Sequence, residues 1–328
     1  MIPTQAEPAD VTRAASGSSR RVFWGAMLEN AAYTAVSGLL LGSRRRQIAL
    51  LASLPLLWIA FANVGPIAQM VWISFLDSYP PRAGYVPQMT LANWARFFQE
   101  QIFLVPYFRT LGYAAVFTVA TLIITYPVAY FLAKHVKRSN QLLFLLLLLI
   151  PFWVGEIVRT FAIMILLGNN GAINIALRSL GLIDRPIPFM YTTFSLGVGI
   201  IYLTALYMLL PLYSALEKIP NSYREAAADL GAGPWTRFWR VILPLSREGI
   251  ASGCTLVFLI STGYYAAPVL LGGPGTTVFA ETIAGFFHVA GDQWPTGAAF
   301  STIMLISALV ITGLFLKLMS RGGTGLMK

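Results

Sequence analysis

Six long apolar stretches constrain this chain more than any other feature of its sequence. An α-helix needs roughly 20 predominantly apolar residues to cross the hydrocarbon core of a bilayer, and each stretch is long enough. Because lipid offers no hydrogen bonds to the backbone, such stretches form helices. The sequence therefore predicts an all-α, polytopic membrane protein with six transmembrane helices, at about 48–75, 110–133, 141–167, 190–216, 249–271 and 298–318.

Composition excludes most soluble classes of protein. Of the 328 residues 57% are hydrophobic and only 11% are charged, whereas a soluble domain has about 25% charged residues. A soluble enzyme and a nucleic-acid-binding domain are thus excluded, and the formal net charge of +10 is explained by basic loops at a membrane. The single cysteine, Cys254, allows neither a disulfide framework nor a cysteine metal site.

Lysine and arginine are strongly biased to one side of the predicted membrane. Only five of these residues lie in the segments on the predicted outer side (Arg82, Arg96, Arg109, Arg178 and Arg185), and Arg159 lies within a span. Since basic residues mark cytoplasmic loops, we expect cytoplasmic N- and C-termini. The remaining basic residues lie on the inner side: Arg13, Arg20, Arg21, Arg44, Arg45, Arg46, Lys134, Lys137, Arg138, Lys218, Arg224, Arg237, Arg240, Arg247, Lys317, Arg321 and Lys328.

Residues 1–47 are predicted to form a cytoplasmic tail that precedes a six-span domain at 48–328. Within the tail, residues 22–41 are long enough to span, but Glu29 and Asn30 lie near the middle of that stretch. A central acidic residue costs about 2.5–3.5 kcal/mol on insertion scales. A helix on the cytoplasmic membrane surface is therefore favoured over a span, although both alternatives stay open.

The predicted cytoplasmic loop at 217–248 contains residues that typically start and end helices. Ser222 and Glu225 have the spacing of a capping box, which predicts a short helix over Tyr223–Leu230. Gly231 is expected to be its left-handed C-cap, and Gly233-Pro234 should stop the helix. A second helix is predicted from Trp235 to Pro244. Taken alone, the loop could also be an interfacial helix pair that closes the bundle.

Part of this loop resembles the EAA loop of ATP-binding-cassette (ABC) importer permeases. The resemblance is carried by Glu225-Ala226-Ala227, Gly231, Val241 and Leu243-Pro244, and the family usually has isoleucine where this chain has Val241. From residue 90 onward the chain is also similar to permeases of the spermidine/putrescine type. The shorter matches are Leu91–Trp94, Pro151–Trp153, Val158–Thr160, Leu270–Gly273 and Trp294–Ala299.

This resemblance implies that 48–328 is a permease domain with a type I ABC importer permease fold. The chain would then be one of two membrane subunits of an importer in a bacterial inner membrane. The implied partners are a cytoplasmic ATP-binding subunit, a second homologous permease subunit and an extracytoplasmic solute-binding protein. One sequence does not distinguish a heterodimer from a homodimer. The resemblance also implies that Tyr223–Leu230 is a coupling helix, and the implied ATPase-coupling residues are Tyr223, Arg224, Glu225, Ala226, Ala227, Asp229, Gly231, Leu243 and Pro244.

The chain offers no energy source or catalytic centre of its own. A phosphate-binding P-loop requires a Gly-Lys pair, and the sequence contains none. His135 and His288 lack the paired spacing of metal ligands. We therefore expect no enzymatic activity, no metal and no cofactor in this chain, with ATP and Mg²⁺ bound by a partner subunit.

Two ionisable residues, Glu156 and Arg159, lie within the third predicted span. Ionisable groups inside a membrane are paired or functional. Their i, i+3 spacing puts them on one helix face. A structural ion pair and a role in lining the substrate pathway both remain open.

The nature of the solute is only weakly indicated. The outer segment 272–297 carries Glu281 and Asp292, together with Phe279, Phe286, Phe287 and Trp294, and has no lysine or arginine. Acidic and aromatic groups suit an organic cation, but an ordinary loop with buried aromatic side chains is favoured. A polyamine is therefore predicted mainly because of the subfamily resemblance, and related permeases carry other small solutes.

Three other functional classes were weighed. A secondary transporter would show internal repeats with paired broken helices, and no inverted repeat is evident in the sequence. A channel would need a filter or a charged ring, and no candidate is present. A membrane scaffold would leave the loop at 217–248 unexplained.

Overall fold

The structure is a computed structural model that describes residues 44–81, 84–288 and 293–321. The prediction for residues 22–41 lies outside the described residues. In these three ranges the chain is helical, without strands, and has one isolated antiparallel bridge between Leu76 and Met89. Two compact units divide the chain at Gln69 and Met70. The predicted boundary at 47/48 stays a prediction.

Most helices follow one another with short connections, and the two longest are 74–91 and 180–192. Turns of 3-10 helix occupy Ile150–Trp153 and Pro274–Thr276, and turns of π-helix occupy Ala60–Val64 and Phe238–Ile242. The α-helices are α1 Arg44–Ile59, α2 Gly65–Ile73, α3 Ala92–Gln99, α4 Gln101–Lys134, α5 Arg138–Leu149, α6 Glu156–Leu167, α7 Ala172–Ser179, α8 Thr193–Lys218, α9 Asn221–Asp229, α10 Pro234–Arg237, α11 Leu243–Leu245, α12 Arg247–Gly263, α13 Ala266–Leu271, α14 Phe279–His288 and α15 Trp294–Arg321.

Among the described residues, five helical segments are long and apolar enough to cross a membrane. A sixth is obtained when the pair Pro234–Leu245 and Arg247–Gly263, bent by 66°, is counted as one span. The all-α, polytopic prediction is confirmed. The five segments are Leu51–Ile73, Gln101–Lys134, Glu156–Ser179, Thr193–Lys218 and Trp294–Met319.

The third predicted span, 141–167, is not one continuous helix. α5 ends in a 3-10 turn, Val154 and Gly155 are extended, and α6 then begins at Glu156. Pro151 explains the break, because proline lacks the N–H that a continuing helix requires. The prediction of an uninterrupted span was therefore wrong at 150–155.

The first predicted span contains the irregularity that its sequence indicates. The chain passes from α1 to α2 through the π-helical turn. Within that turn Asn63 donates a side-chain hydrogen bond of 2.9 Å to the carbonyl of Ile59. Pro66 follows directly, and a proline near a wider turn is a usual cause of helix irregularity.

In the unit Met70–Lys328 the core lies between α4, α8 and α12. Apolar side chains of the three helices pack with Ile242 from the loop at 217–248. A second cluster, built mainly of phenylalanine, joins α3, the start of α4, α14 and α15; its buried aromatic members are Phe97, Phe103, Phe279, Phe286 and Phe300. The unit thus has one core at the level of the loop and another at the opposite end of α4.

Candidate functional site

α9 begins at Asn221, two residues earlier than its sequence predicts. Its N-cap is Pro220, with extended backbone, and no side chain caps the helix. The capping box of Ser222 and Glu225 is therefore wrong, since Ser222 already lies in the first turn. The physical reason is that Pro220 ends the preceding segment and supplies the extended residue from which a helix can start.

The C-terminal end of α9 has the geometry that Gly231 predicts. Gly231 has φ of +79°, a left-handed conformation that favours glycine. Its N–H donates to the carbonyl of Ala228 (2.8 Å), and the N–H of Ala232 donates to the carbonyl of Ala227 (3.0 Å). This pair of bonds is a Schellman motif. The prediction of a left-handed C-cap at Gly231 is confirmed.

α9 presents most of its surface away from the chain. None of its residues is buried, and only Arg224 and Ala227 are partly covered. Glu225, Ala226 and Asp229 are exposed, as is Tyr223. Directly after the helix, 89% of Leu230 is exposed. A short helix with an uncovered apolar residue at its end is a surface suited to protein contact.

The second half of the loop is anchored in the core. The sequence predicts one helix from Trp235 to Pro244, but the segment begins at Pro234, passes through the π-helical turn and ends at Leu245. Pro244 does not stop it. In a regular helix the proline ring clashes with the carbonyl four residues earlier, and the wider turn directly before Pro244 relieves that crowding.

The π-helical turn also carries the deepest side chain of the loop. Only 3% of Ile242 is exposed, and Phe238 packs against the same cluster. Leu243 and Pro244 are partly buried. The half of the loop that contains Leu243 and Pro244 is therefore fixed to the core, whereas α9 is not.

A close approach of α12 to α8, just after the loop, is a feature that the sequence predictions missed. A Cβ atom at Gly249 would lie 2.5 Å from the Cβ of Ala215 and 2.7 Å from the carbonyl oxygen of Pro211. At Gly253 it would lie 2.6 Å from the Sδ of Met208. The signal was present, because Gly249 and Gly253 form a G-x-x-x-G motif in an apolar stretch.

Arg159 is buried without a hydrogen-bond partner. Its side chain is 8% exposed, its guanidinium carbon lies 4.4 Å from the centre of the Phe152 ring, and its Nε and Nη1 atoms make no hydrogen bond to any described residue. No ion pair within 4 Å joins Glu156 and Arg159 in the described ranges. The guanidinium stacks on Phe152 instead, so the ion-pair alternative does not hold.

Two tyrosines complete the surroundings of this arginine. Tyr264, 7% exposed, interacts electrostatically with Glu156, Tyr207 and Arg159. It lies at the break between α12 and α13, and the Tyr207 ring meets the Phe152 ring at 5.5 Å. Sequence reasoning missed both tyrosines. For Tyr264 the available signal was its place in the pair Tyr264-Tyr265, which follows Gly263 within an apolar run.

Two of the four aromatic residues singled out in the segment 272–297 belong to the core, and the other two, Phe287 and Trp294, are half-buried. Phe279 and Phe286 are buried in the phenylalanine cluster, as the favoured reading of ordinary buried aromatics predicts. Glu281 is partly buried, and its Oε1 accepts a hydrogen bond of 3.2 Å from the Val278 N–H. Burial raises the pKa of Glu281, and the bond from Val278 opposes that rise. Asp292 lies outside the described residues.

No metal centre is formed in the described ranges, where no three His, Cys, Asp or Glu side chains come together. His135 is exposed and its ring stacks on Phe131, and His288 is exposed at the end of α14.

Known proteins of one family are similar to this chain in sequence. Residues 127–322 match the family of binding-protein-dependent transport system inner membrane components. The chain is 35% identical over 259 residues to the spermidine/putrescine transport system permease protein PotB of Haemophilus influenzae, which covers 77% of this chain and 88% of that protein. It is also 35% identical over 260 residues to PotB of Escherichia coli, covering 79% and 91%.

The fold is shared with a solved structure as well. A bacterial ABC transporter that imports the acidic polysaccharide alginate aligns with a TM-score of 0.66 and 17% identity, covering 84% of this chain and 96% of that one. The fold is thus that of a type I ABC importer permease. This protein is a multi-pass inner-membrane transport subunit, not an enzyme, and it belongs to the family of binding-protein-dependent transport system inner membrane components.

Proposed function

We propose that this chain is the permease subunit of an ATP-driven, binding-protein-dependent importer of polyamines or a related small organic solute. The observation that carries the proposal is the EAA loop, in which an uncovered α9 ends in a Schellman motif while the following segment is anchored in the core. The substrate class rests on the relatives named as spermidine/putrescine permeases.

In this proposal α9 is the coupling helix. The exposed side chains of Tyr223, Glu225 and Asp229 meet a cytoplasmic ATP-binding subunit, and Ala226 lets that subunit approach closely. ATP and Mg²⁺ are bound by that partner. Gly231 forms the turn after α9 that aims this helix. Leu243 and Pro244 belong to the segment that returns to the membrane domain.

The other partners and the orientation follow from the same assignment. Basic residues concentrate on the side of the EAA loop, which supports a cytoplasmic location for both termini and for α9. The opposite side then receives a solute-binding protein, and a second permease subunit completes the membrane part. The alginate transporter has been solved in complex with a periplasmic protein bound to its substrate, which supports this arrangement.

Glu156 and Arg159 are proposed to line the substrate pathway. The support is that Arg159 has unpartnered donors at a break in the membrane-spanning segments. A buried cation with two unbonded donors is costly in a membrane. A role in transport, rather than in stability, accounts for its presence.

The test is purification of the tagged chain from its own host in mild detergent. We expect an ATP-binding protein to co-purify with the wild type and to be lost in Glu225→Lys. Asp184→Lys is the matched control, because Asp184 is equally exposed but lies on the opposite side of the membrane in the proposed orientation. A chain that purifies alone would contradict the importer and favour a secondary transporter.

The substrate class needs a separate measurement. The purified complex is reconstituted in liposomes with its binding protein, and uptake of labelled spermidine and putrescine is followed with ATP. Uptake of neither polyamine, in vesicles whose ATPase responds to another solute, would overturn the substrate assignment and leave the importer assignment intact.

A further inference from the structure

Both ends of the EAA loop at 217–248 are fastened to α4. At the first end, Lys134, the last residue of α4, donates a hydrogen bond of 2.6 Å from Nζ to the carbonyl of Ile219. Ile219 lies between the end of α8 and Pro220, from which α9 starts. The position at which the chain enters α9 is therefore held by the end of another helix.

At the second end, Tyr126 of α4 is joined to Ser246, with 2.9 Å between the two hydroxyl oxygens. Ser246 is fully buried and lies at the 66° bend between α11 and α12. Its hydroxyl donates to the carbonyl of Leu243, so Tyr126 is the donor in the bond between the two side chains. A buried hydroxyl pair of this kind is costly to break.

Ring contacts reinforce the second fastening. The Phe238 ring, in the π-helical turn, meets the rings of Tyr126 and Tyr130 edge-on, with centroid distances of 5.6 and 6.4 Å. The first fastening is reinforced by Gln141, which donates to the carbonyl of Val136 (3.2 Å) and accepts from the hydroxyl of Tyr213 (3.1 Å). α8, which leads into the loop, is thereby linked to the turn that follows α4.

We propose that α4 is the element that receives the movement of the EAA loop, through Lys134 at one end of the loop and Tyr126 at the other. The proposal rests on the proposed function, in which α9 docks on an ATP-binding subunit. α9 itself has no buried residue, so its displacement passes into the membrane domain through the two ends of the loop. Lys134 and Tyr126 are positioning residues for coupling and contact neither ATP nor solute.

The test measures solute transported per ATP hydrolysed, in liposomes that contain the complete importer. Tyr126→Phe removes only the hydroxyl and keeps the ring contact with Phe238. Lys134→Met removes the donor, and Lys134→Arg retains one. We expect Tyr126→Phe and Lys134→Met to lower the transport-to-ATP ratio roughly threefold to tenfold, the range for contacts that carry coupling, and Lys134→Arg to stay near wild type.

A purely structural role gives a different result. In that case the variants would lower the yield of assembled complex, while the complexes that form would transport the same amount of solute per ATP. That outcome overturns the proposal. The pair Tyr126→Phe and Ser246→Ala adds a check, because both changes break the same bond and their effects on the ratio should not add.

Failure of this inference is distinguishable from failure of the proposed function. If wild-type complexes couple ATP hydrolysis to uptake and the variants couple equally well, only the role of α4 is wrong. If the wild-type chain neither assembles with an ATP-binding subunit nor stimulates hydrolysis, the proposed function falls and this inference falls with it.

Discussion

The EAA loop and the surroundings of Arg159 differ in what determines their geometry. α9 is bounded by Pro220 and Gly231, so local backbone preferences set where it begins and ends. Arg159, in contrast, stacks on Phe152, whose ring contacts Tyr207, and Tyr264 is near enough to interact with it electrostatically. These three aromatic residues come from three separate segments. The comparison teaches that a short exposed helix can be read from consecutive residues, whereas the surroundings of a buried arginine depend on how helix breaks meet.

The largest expected effect tests the local side of this comparison. Gly231→Val should reduce uptake below about a tenth of wild type, because a side chain at positive φ costs about 1–2 kcal/mol and a β-branched one more. A Cβ atom at Gly231 has open space around it, so the effect comes from the backbone alone. The measurement is uptake in membranes with equal amounts of inserted protein.

Gly233→Ala is the matched control for this variant. Gly233 also has open space, but its φ is −64°, so alanine should be tolerated there. Equal loss of uptake in both variants would show that the loop tolerates no side chain, and normal uptake by Gly231→Val would show that the left-handed turn is dispensable.

The next effect tests tertiary packing beside the loop. Gly249→Ala adds a methyl group that would lie too close to Ala215 and to the backbone of α8. Overpacking of this kind costs about 1–3 kcal/mol. We expect a lower midpoint of thermal unfolding in detergent. Gly263→Ala, on the same helix with open space around it, should leave the midpoint unchanged; a similar drop in both would refute the packing explanation.

A smaller effect on stability, of opposite sign, is expected at Arg159. Because two of its buried donors are unpartnered, Arg159→Leu should leave the free energy of unfolding unchanged or raise it by up to about 3 kcal/mol. Uptake should nevertheless fall severalfold. Arg159→Lys keeps the charge without the planar stacking on Phe152, so it separates the two contributions. A destabilised Arg159→Leu would mean that the arginine is structural.

The smallest effect concerns a loop outside the membrane. The Asp77 carboxylate accepts hydrogen bonds from the Tyr85 hydroxyl and from the Gln88 N–H, and the bond from Tyr85 is the main reason that the pKa of Asp77 is lowered. A lowered pKa in the folded protein means that the bonded loop is favoured above the ordinary aspartate pKa and is lost as pH falls through the lowered value.

Amide hydrogen exchange across residues 77–90 provides the measurement for this loop. Exchange should quicken as the pH is lowered through the Asp77 pKa, once the intrinsic pH dependence of exchange has been removed. Asp77→Asn should show fast exchange without that transition. A transition that survives in Asp77→Asn would assign it to another group.

The parts of the fold that depend on composition and on residues that start or end helices could be predicted from the sequence. The apolar stretches, the position of the loop and the left-handed Gly231 required no knowledge of neighbours. The start of α4 at Gln101 instead of residue 110 was not predictable in this way. Residues such as Phe103 and Tyr107 join that helix because they pack on the phenylalanine cluster, and Arg109 interrupts the apolar pattern there.

The surroundings of Glu156 and Arg159 were only partly predictable, because they too depend on packing between segments that are distant in the sequence. Glu156 and Arg159 were identified from their charge inside an apolar stretch, but their spacing favoured an ion pair equally well. What decides against the pair is the Phe152 ring, which Arg159 reaches because the helix breaks at 150–155. Tyr264 is brought near from a distant segment, and no local pattern marks that approach.

The length of α4 has a mechanical consequence. Its 34 residues extend about 51 Å, well beyond the roughly 30 Å hydrocarbon core, so one rod reaches both aqueous sides. Near its first turns Thr110 accepts a hydrogen bond from the Phe279 N–H, and near its other end lie Tyr126 and Lys134, which bond to the loop. Pro106 and Pro127 interrupt the hydrogen bonding of the helix near each end. No proline lies between them, so under the proposed function a displacement of the loop at Tyr126 is carried to Thr110 by one continuous stretch of helix.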